Sequence, residues 1–207
     1  ETEMIVDEVL DFLRVGDFGI ADAMMLDIGT GSFNIPAAVM NNFENVFVHA
    51  VDLSEDAISV ACINREYHSM ESRAEIYESD LLENVTLNRF DVVTANLPYV
   101  GSEHGLSPDV EKYEPSGALF GRDSSNFDDI RGDGSGLYKK LVQQMLDKGF
   151  DFDLFVGEFG YGQKAEILAM LNKIFVHDYP TKHGFSFEVS VKEDLASIPR
   201  IFVVKKK

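Results

Sequence analysis

A chain of 207 residues with 45% hydrophobic content can bury one core of ordinary size, and no apolar run in it is long enough to cross a bilayer. Its formal charge of -18, from 36 acidic against 18 basic residues, leaves little cationic surface to neutralise phosphates, which weighs against nucleic acid as substrate and favours a protein with a basic face. Cys62 is the single cysteine and excludes an intramolecular disulfide framework; with no signal peptide in view, the expected compartment is a reducing cytoplasm.

Hydrophobic spacing predicts a helix over 2–15, a strand over 24–28, a helix over 33–42, a strand over 46–51, a helix over 54–68 and a strand over 74–78. A strand over 90–95 follows, then a helix over 135–148, a strand over 153–157, a helix over 162–175 and strands over 184–191 and 200–205. Alternation of this kind predicts an α/β fold, an open and mainly parallel sheet with helices on both faces. The last two strands have no helix between them and should pair as an antiparallel hairpin. Residues 122–131 are rich in Asp and Ser and read as a surface loop, and the terminal Lys205-Lys206-Lys207 reads as a solvated tail rather than a phosphate clamp. The whole of 1–207 reads as one domain.

Ligands of such sheets bind beyond the carboxyl ends of the strands, where Gly29, Asp52, Asp80 and Asn96 all fall. Strand 24–28 runs through Asp27 into Gly29-Thr30-Gly31, whose glycines permit close approach of backbone to ligand. Some twenty residues further on, Asp52 ends the next strand, where a carboxylate can accept ribose hydroxyls. Ser32-Phe33-Asn34 supplies no third glycine of a dinucleotide fingerprint, and no pyrophosphate cradle is evident, so S-adenosylmethionine fits this half-site better. Its ribose would face Asp52 and Leu53, its adenine Asp80 and Leu81, and its amino-acid end the segment from Asp27 to Gly31. A turn residue with no ligand remains the alternative for Asp80.

At the end of strand 90–95, Asn96-Leu97-Pro98-Tyr99 delivers a side-chain amide, a carbonyl held extended by the following proline and an aromatic ring. The Asn96 oxygen and the Leu97 carbonyl can accept both N–H bonds of a planar NH2 group while Tyr99 stacks on it. An ordinary Asn-x-Pro turn is the alternative reading of the same four residues.

These segments together resemble the HemK-like release-factor glutamine N5-methyltransferases, over essentially the whole chain. Glu1-Thr2-Glu3 is similar to the end of that family's Arg-Pro-Glu-Thr-Glu segment, residues 27–32 to its cofactor loop and residues 50–54 to its ribose strand. The most discriminating likeness lies in Tyr113-Glu114-Pro115-Ser116-Gly117-Ala118-Leu119-Phe120-Gly121 and Gly132-Asp133-Gly134-Ser135-Gly136-Leu137-Tyr138, and Gly157-Glu158-Phe159-Gly160-Tyr161-Gly162-Gln163 resembles the family's Glu-x-Gly-x-x-Gln turn. The resemblance implies a Rossmann-like class I methyltransferase with a seven-stranded sheet, S-adenosylmethionine as cofactor and S-adenosylhomocysteine as product. It further implies methylation of the glutamine of a Gly-Gly-Gln motif in peptide chain release factors, with Asn96, Leu97, Pro98 and Tyr99 holding the amide nitrogen near the methyl carbon, at roughly 3 to 3.5 Å. A preceding helical substrate-recognition domain belongs to the family, and its absence here would make the chain a catalytic fragment.

Position 97 departs from the family, which carries proline there; the Asn-Leu-Pro-Tyr form occurs in ribosomal-RNA adenine dimethylases. An adenine N6-methyltransferase acting on RNA or DNA is therefore one alternative, and a nucleoside-binding partner subunit without turnover is another. The five histidines, at positions 49, 68, 104, 177 and 183, lack metal-ligand spacing, and no metal is expected. Cys62, Phe12, Met145, Phe150 and Phe152 read as packing residues.

Overall fold

A computed structural model describes residues 2–16, 22–98 and 135–207. In chain order the elements are α1 (Glu3–Val15), β1 (Ala23–Ile28), α2 (Asn34–Asn42), β2 (Val46–Asp52), α3 (Glu55–Tyr67), β3 (Ala74–Glu78), β4 (Arg89–Ala95), α4 (Gly136–Lys148), β5 (Asp151–Glu158), α5 (Lys164–Leu171), a π-helical stretch (Asn172–Asp178), α6 (Tyr179–His183), β6 (Phe187–Glu193) and β7 (Pro199–Lys206). The seven strands form one sheet in the order β3-β2-β1-β4-β5-β7-β6, parallel except where β7 pairs with β5 and β6. The expected fold class, including its terminal hairpin, is the one found.

Both faces of the central strands are covered, which is why β1, β4 and β5 read as nearly unbroken apolar runs rather than alternating ones. On one face, Phe90, Phe150, Phe152, Phe155, Phe175, Phe187 and Phe202 make a continuous aromatic core. Phe152 stacks on Phe187 with centroids 4.7 Å apart and meets Phe155 and Phe175 edge-on, arrangements that each add about 0.5 to 1.5 kcal/mol beyond area burial. On the other face, Ile5, Val9 and Leu13 of α1, spaced as one helical stripe, pack with Met25, Leu154, Val156, Ile201 and Val203.

Three local expectations are corrected. The helix over 162–175 starts at Lys164 and runs on through the π-helical turn to His183, so β6 begins at Phe187. Pro180 lies just after the π-helical stretch, in the first turn of α6, and Gly184 at φ 77° makes the stop. Cys62 is only partly buried, because Ala61 is the one fully buried residue of α3. Lys205 and Lys206 are strand residues with partners: Lys205 pairs with Glu8 at 3.0 Å and Lys206 with Asp151, so the basic run is not a solvated tail.

Glu8 fastens α1 to the hairpin. Its carboxylate is almost fully buried and takes Lys192 from β6 and Lys205 from β7. Burial on its own would raise the Glu8 pKa, but hydrogen bonds and charge from the two lysines more than offset it and hold the group below its ordinary value. A depressed carboxylate contributes stability above its unfolded pKa of 4.5 and loses it as the pH falls through the lower folded value. Glu8→Gln is expected to cost on the order of 1.5 to 3 kcal/mol near neutral pH, the worth of hydrogen bonds to a charged group. In urea melts of both proteins at a series of pH values, the two stabilities should converge as the pH is taken below 4.5 and through the lower folded value.

Candidate active site

The sheet order reverses between β1 and β4, and the carboxyl ends of β1, β2, β4 and β5 meet there. After β1 the chain turns at Gly29 and Gly31, both at positive φ (70° and 55°). A Cβ on Gly29 would lie 2.9 Å from Leu97 Cδ2, so the glycine admits the Leu97 side chain, which is buried. The Gly29 and Thr30 N–H groups both donate to the Val51 carbonyl, at 2.8 and 3.0 Å, and the Gly31 N–H donates to Asp52 Oδ2 at 2.9 Å. With these three donors committed to β2, the turn has no row of N–H groups to offer a pyrophosphate, in contrast to a dinucleotide loop.

Asp52 accepts a second backbone bond on Oδ1, from Ser54 N–H at 2.9 Å, and thereby braces the start of α3 as well as the glycine turn. Leu53 beside it keeps about half of its side chain exposed (45%). Beyond β3, Ser79 Oγ donates to the Leu81 carbonyl at 2.8 Å and accepts from Asn84 N–H at 3.0 Å, a knot that holds Leu81 in the left-handed region at φ 54°. Asp80 in this turn pairs with Lys140 of α4 at 2.6 Å. Phe33 adopts the same strained region, φ 70°, ahead of α2. Its side chain is fully buried, and that burial, worth roughly 1.5 to 3 kcal/mol, exceeds the 1 to 2 kcal/mol of a left-handed non-glycine residue.

Asp27 is the most unusual group of the site. Parallel pairing sets it opposite Thr94 of β4, whose hydroxyl donates to Oδ1 at 2.5 Å. Among the described residues, its buried Oδ2 has no hydrogen-bond partner, and neither has the buried Oγ1 of Thr30. Burial pushes the Asp27 pKa up to about 6; the Thr94 bond and the nearby Thr30 hydroxyl pull the other way, and the charge of Asp52 adds to the rise. Two orphaned polar atoms at the mouth of a glycine turn suit a cationic ligand group such as an ammonium.

Asn96 and Leu97 follow β4 directly. Asn96 Nδ2 donates to Thr2 Oγ1 at 3.2 Å, and the Thr2 hydroxyl donates to Glu158 Oε2 at 3.1 Å. Tyr138 of α4 sends its buried hydroxyl to the carbonyls of Ala95 and Glu158, at 2.9 and 2.6 Å, tying the ends of β4 and β5 together. Gly157 makes this possible, since a Cβ there would lie 2.9 Å from the Tyr138 oxygen and 2.4 Å from Phe202. Gln163 closes the turn after β5 by accepting the Gly160 N–H at 2.7 Å.

Thus Asp27, Gly29, Thr30, Gly31, Asp52, Asn96 and Leu97 lie at the carboxyl ends of the neighbouring strands β2, β1 and β4, with Asp80 and Leu81 beyond β3 on their flank. Tyr99, Tyr113–Gly121, the 122–131 insertion and Gly132–Gly134 lie outside the described residues. Sequence reasoning missed Thr94, Tyr138 and the Thr2–Glu158 pair. Tyr138, Thr2 and Glu158 stood within quoted motifs with no role given them, since only the folded sheet brings residues so far apart in sequence into contact.

This architecture is the class I methyltransferase fold. The methyltransferase small domain model matches residues 13–109. Among sequence relatives, the release factor glutamine methyltransferase of Bacillus cereus is 30% identical over 181 residues, 86% of this chain and 60% of the relative. That of Lactococcus lactis is 29% identical over 212 residues, 99% of this chain and 67% of the relative. The chain thus spans about 60 to 67% of these relatives' length. Among solved structures, magnesium protoporphyrin IX methyltransferase from Synechocystis PCC 6803 with bound SAM has TM-score 0.57 and 15% identity, covering 100% of this chain and 80% of that one. That neighbour was solved with bound SAM, and the family resemblance read from the motifs is matched by relatives of that name. Among the described residues no helix is long and apolar enough to cross a membrane, and no three His, Cys, Asp or Glu side chains form a metal-binding group.

Asp27 yields a two-sided prediction. A carboxylate whose folded pKa is raised lets the native state bind more protons than the unfolded one between the model value 3.8 and about 6, so stability declines as pH rises through that window. Asp27→Asn removes this penalty and should stabilise the apo protein near neutral pH by on the order of 2 to 3 kcal/mol, read as a higher Tm. Calorimetry on the same variant should show weaker S-adenosylmethionine binding, and in the parent chain the affinity should fall as the pH is lowered through about 6.

Proposed function

We propose that this chain transfers a methyl group from S-adenosylmethionine to the side-chain amide nitrogen of a glutamine, in the Gly-Gly-Gln motif of a peptide chain release factor. The observation that carries the reading is the position of Asn96 and Leu97. They leave β4 at the switch point, and the Leu97 side chain rests against Gly29 of the cofactor turn. The names of the sequence relatives support the same substrate.

When bound, S-adenosylmethionine supplies an electrophilic methyl group and is left as S-adenosylhomocysteine. Asp27 and Thr30 would take its amino-acid end, Asp52 and Leu53 its ribose, and Asp80 and Leu81 its adenine. An amide nitrogen is a weak nucleophile because its lone pair is delocalised into the carbonyl, so the residues after β4 must orient it. The Asn96 oxygen and the Leu97 carbonyl accept its two N–H bonds, and Pro98 holds the Leu97 carbonyl in the extended direction. A carbonyl at position 97 suffices for this role, so leucine in place of the usual proline keeps the chemistry and adds a packing contact with Gly29. The proton on nitrogen becomes acidic only after methylation and departs to water. A net charge of -18 suits a basic protein partner better than RNA or DNA.

Asn96→Ala should lower single-turnover methylation of a full-length release factor by about a hundredfold to a thousandfold, the usual loss for one preorganised hydrogen-bonding group. Calorimetric affinity for S-adenosylmethionine should stay within about threefold, since Asn96 serves the acceptor rather than the cofactor. Methylation of the glutamine at the parent rate by this variant would overturn the reading. Transfer to an RNA oligomer in its place would favour the adenine alternative.

A further inference from the structure

Thr2 stands at the N-cap of α1, a position where a threonine side chain ordinarily accepts a bond from the N–H two or three residues on. Here it makes no such bond, and the helix begins without a side-chain cap. The hydroxyl is instead turned to the end of the sheet, between Asn96 and Glu158. Glu158 is the last residue of β5 and almost fully buried, and its backbone is fastened to that of Ala95 by the Tyr138 hydroxyl. A favourable cap has been given up for a contact with a side chain that follows a neighbouring strand.

The direction of the two hydrogen bonds has a consequence. A carboxylate can only accept, so the single hydroxyl hydrogen of Thr2 is committed to Glu158. The Thr2 oxygen is then left with lone pairs alone, and its partner on Asn96 must be the NH2 end of the amide. Asn and Gln amides can turn over at little steric cost, and only the hydrogen-bond network decides which end points where. In this network the Asn96 oxygen is the end directed away from Thr2.

We propose that Thr2 and Glu158 are positioning residues that set the polarity of the Asn96 amide, so that it offers an acceptor oxygen rather than a donor NH2 to the incoming substrate nitrogen. The inference rests on the proposed role of Asn96 in holding a substrate NH2 group. An inverted Asn96 would set donor against donor at the reacting atom. Neither Thr2 nor Glu158 needs to touch the substrate.

Thr2→Val keeps the shape and removes the hydroxyl, Thr2→Ser keeps the hydroxyl, and Glu158→Gln keeps the shape while supplying an NH2 that can donate to Thr2 and release its hydroxyl hydrogen towards Asn96. On the 207-residue chain with a full-length release factor, Thr2→Val and Glu158→Gln should each lower kcat by about tenfold, the weight of one hydrogen bond, with KM and cofactor affinity within about twofold. Thr2→Ser should restore kcat to within about threefold. A readout without turnover accompanies this: in 15N-labelled protein the Asn96 side-chain NH2 should exchange slowly with solvent in the parent and in Thr2→Ser, and faster in Thr2→Val. The proposal fails if Asn96→Ala abolishes glutamine methylation while Thr2→Val and Glu158→Gln retain the parent kcat, and in that case the proposed function stands. If Asn96→Ala itself methylates normally, the proposed function fails, whatever Thr2 does.

Discussion

Asp27 sits at the carboxyl end of β1 with one oxygen bonded to Thr94 and the other, among the described residues, without a partner, at less than a tenth of its free exposure. A fold under selection for stability alone would fill this place with an asparagine or a leucine. Burying a half-satisfied carboxylate raises its pKa and works against folding, and the cost is tolerable only because two covered faces of apolar strands surround it. The rest of the site is arranged about this point. The glycine turn spends its N–H groups on β2 and Asp52, Leu97 closes over Gly29, and β4 is locked beside β5 by Tyr138. Stability lost at Asp27 is the counterpart of a polar cradle ready for a charged ligand group.

Two residues show how the chain departs from a generic nucleotide fold without losing it. Phe33 takes a left-handed backbone that a glycine would adopt without strain, and makes up for it by burying its ring under α2. Leu97 stands where the family that the motifs resemble carries proline, and its side chain fills the space left by the missing Cβ of Gly29. In both places a lost backbone convenience is exchanged for apolar contact, so the turn is held by packing as well as by hydrogen bonds.

Much of this was legible in the order of residues. The central strands are buried on both faces, so their apolar runs stand out, and each ends in a polar or glycine residue at the switch point: Asp27 with Gly29, Asp52, Asn96. Elements whose ends are set by local rules were less so. The π-helical turn before Pro180 carries no mark in hydrophobic spacing, and the paired state of Lys205 depends on a buried glutamate in α1, far away in sequence. The Thr2, Asn96 and Glu158 relay escapes sequence reasoning for the same reason, since separations of 94 and 156 residues are closed only by the parallel sheet and the return of α1 across it. Local pattern names the strands; nonlocal contact decides which polar side chains face each other.

The central claim is that the arrangement after β4 serves a glutamine side-chain amide, and the position of the transferred methyl tests it most directly. A release factor incubated with the chain and S-adenosylmethionine, digested and fragmented by tandem mass spectrometry, should carry one added methyl on the side-chain nitrogen of the glutamine in its Gly-Gly-Gln motif. A methyl located on any other residue, or found only in an RNA offered alongside, would contradict the account.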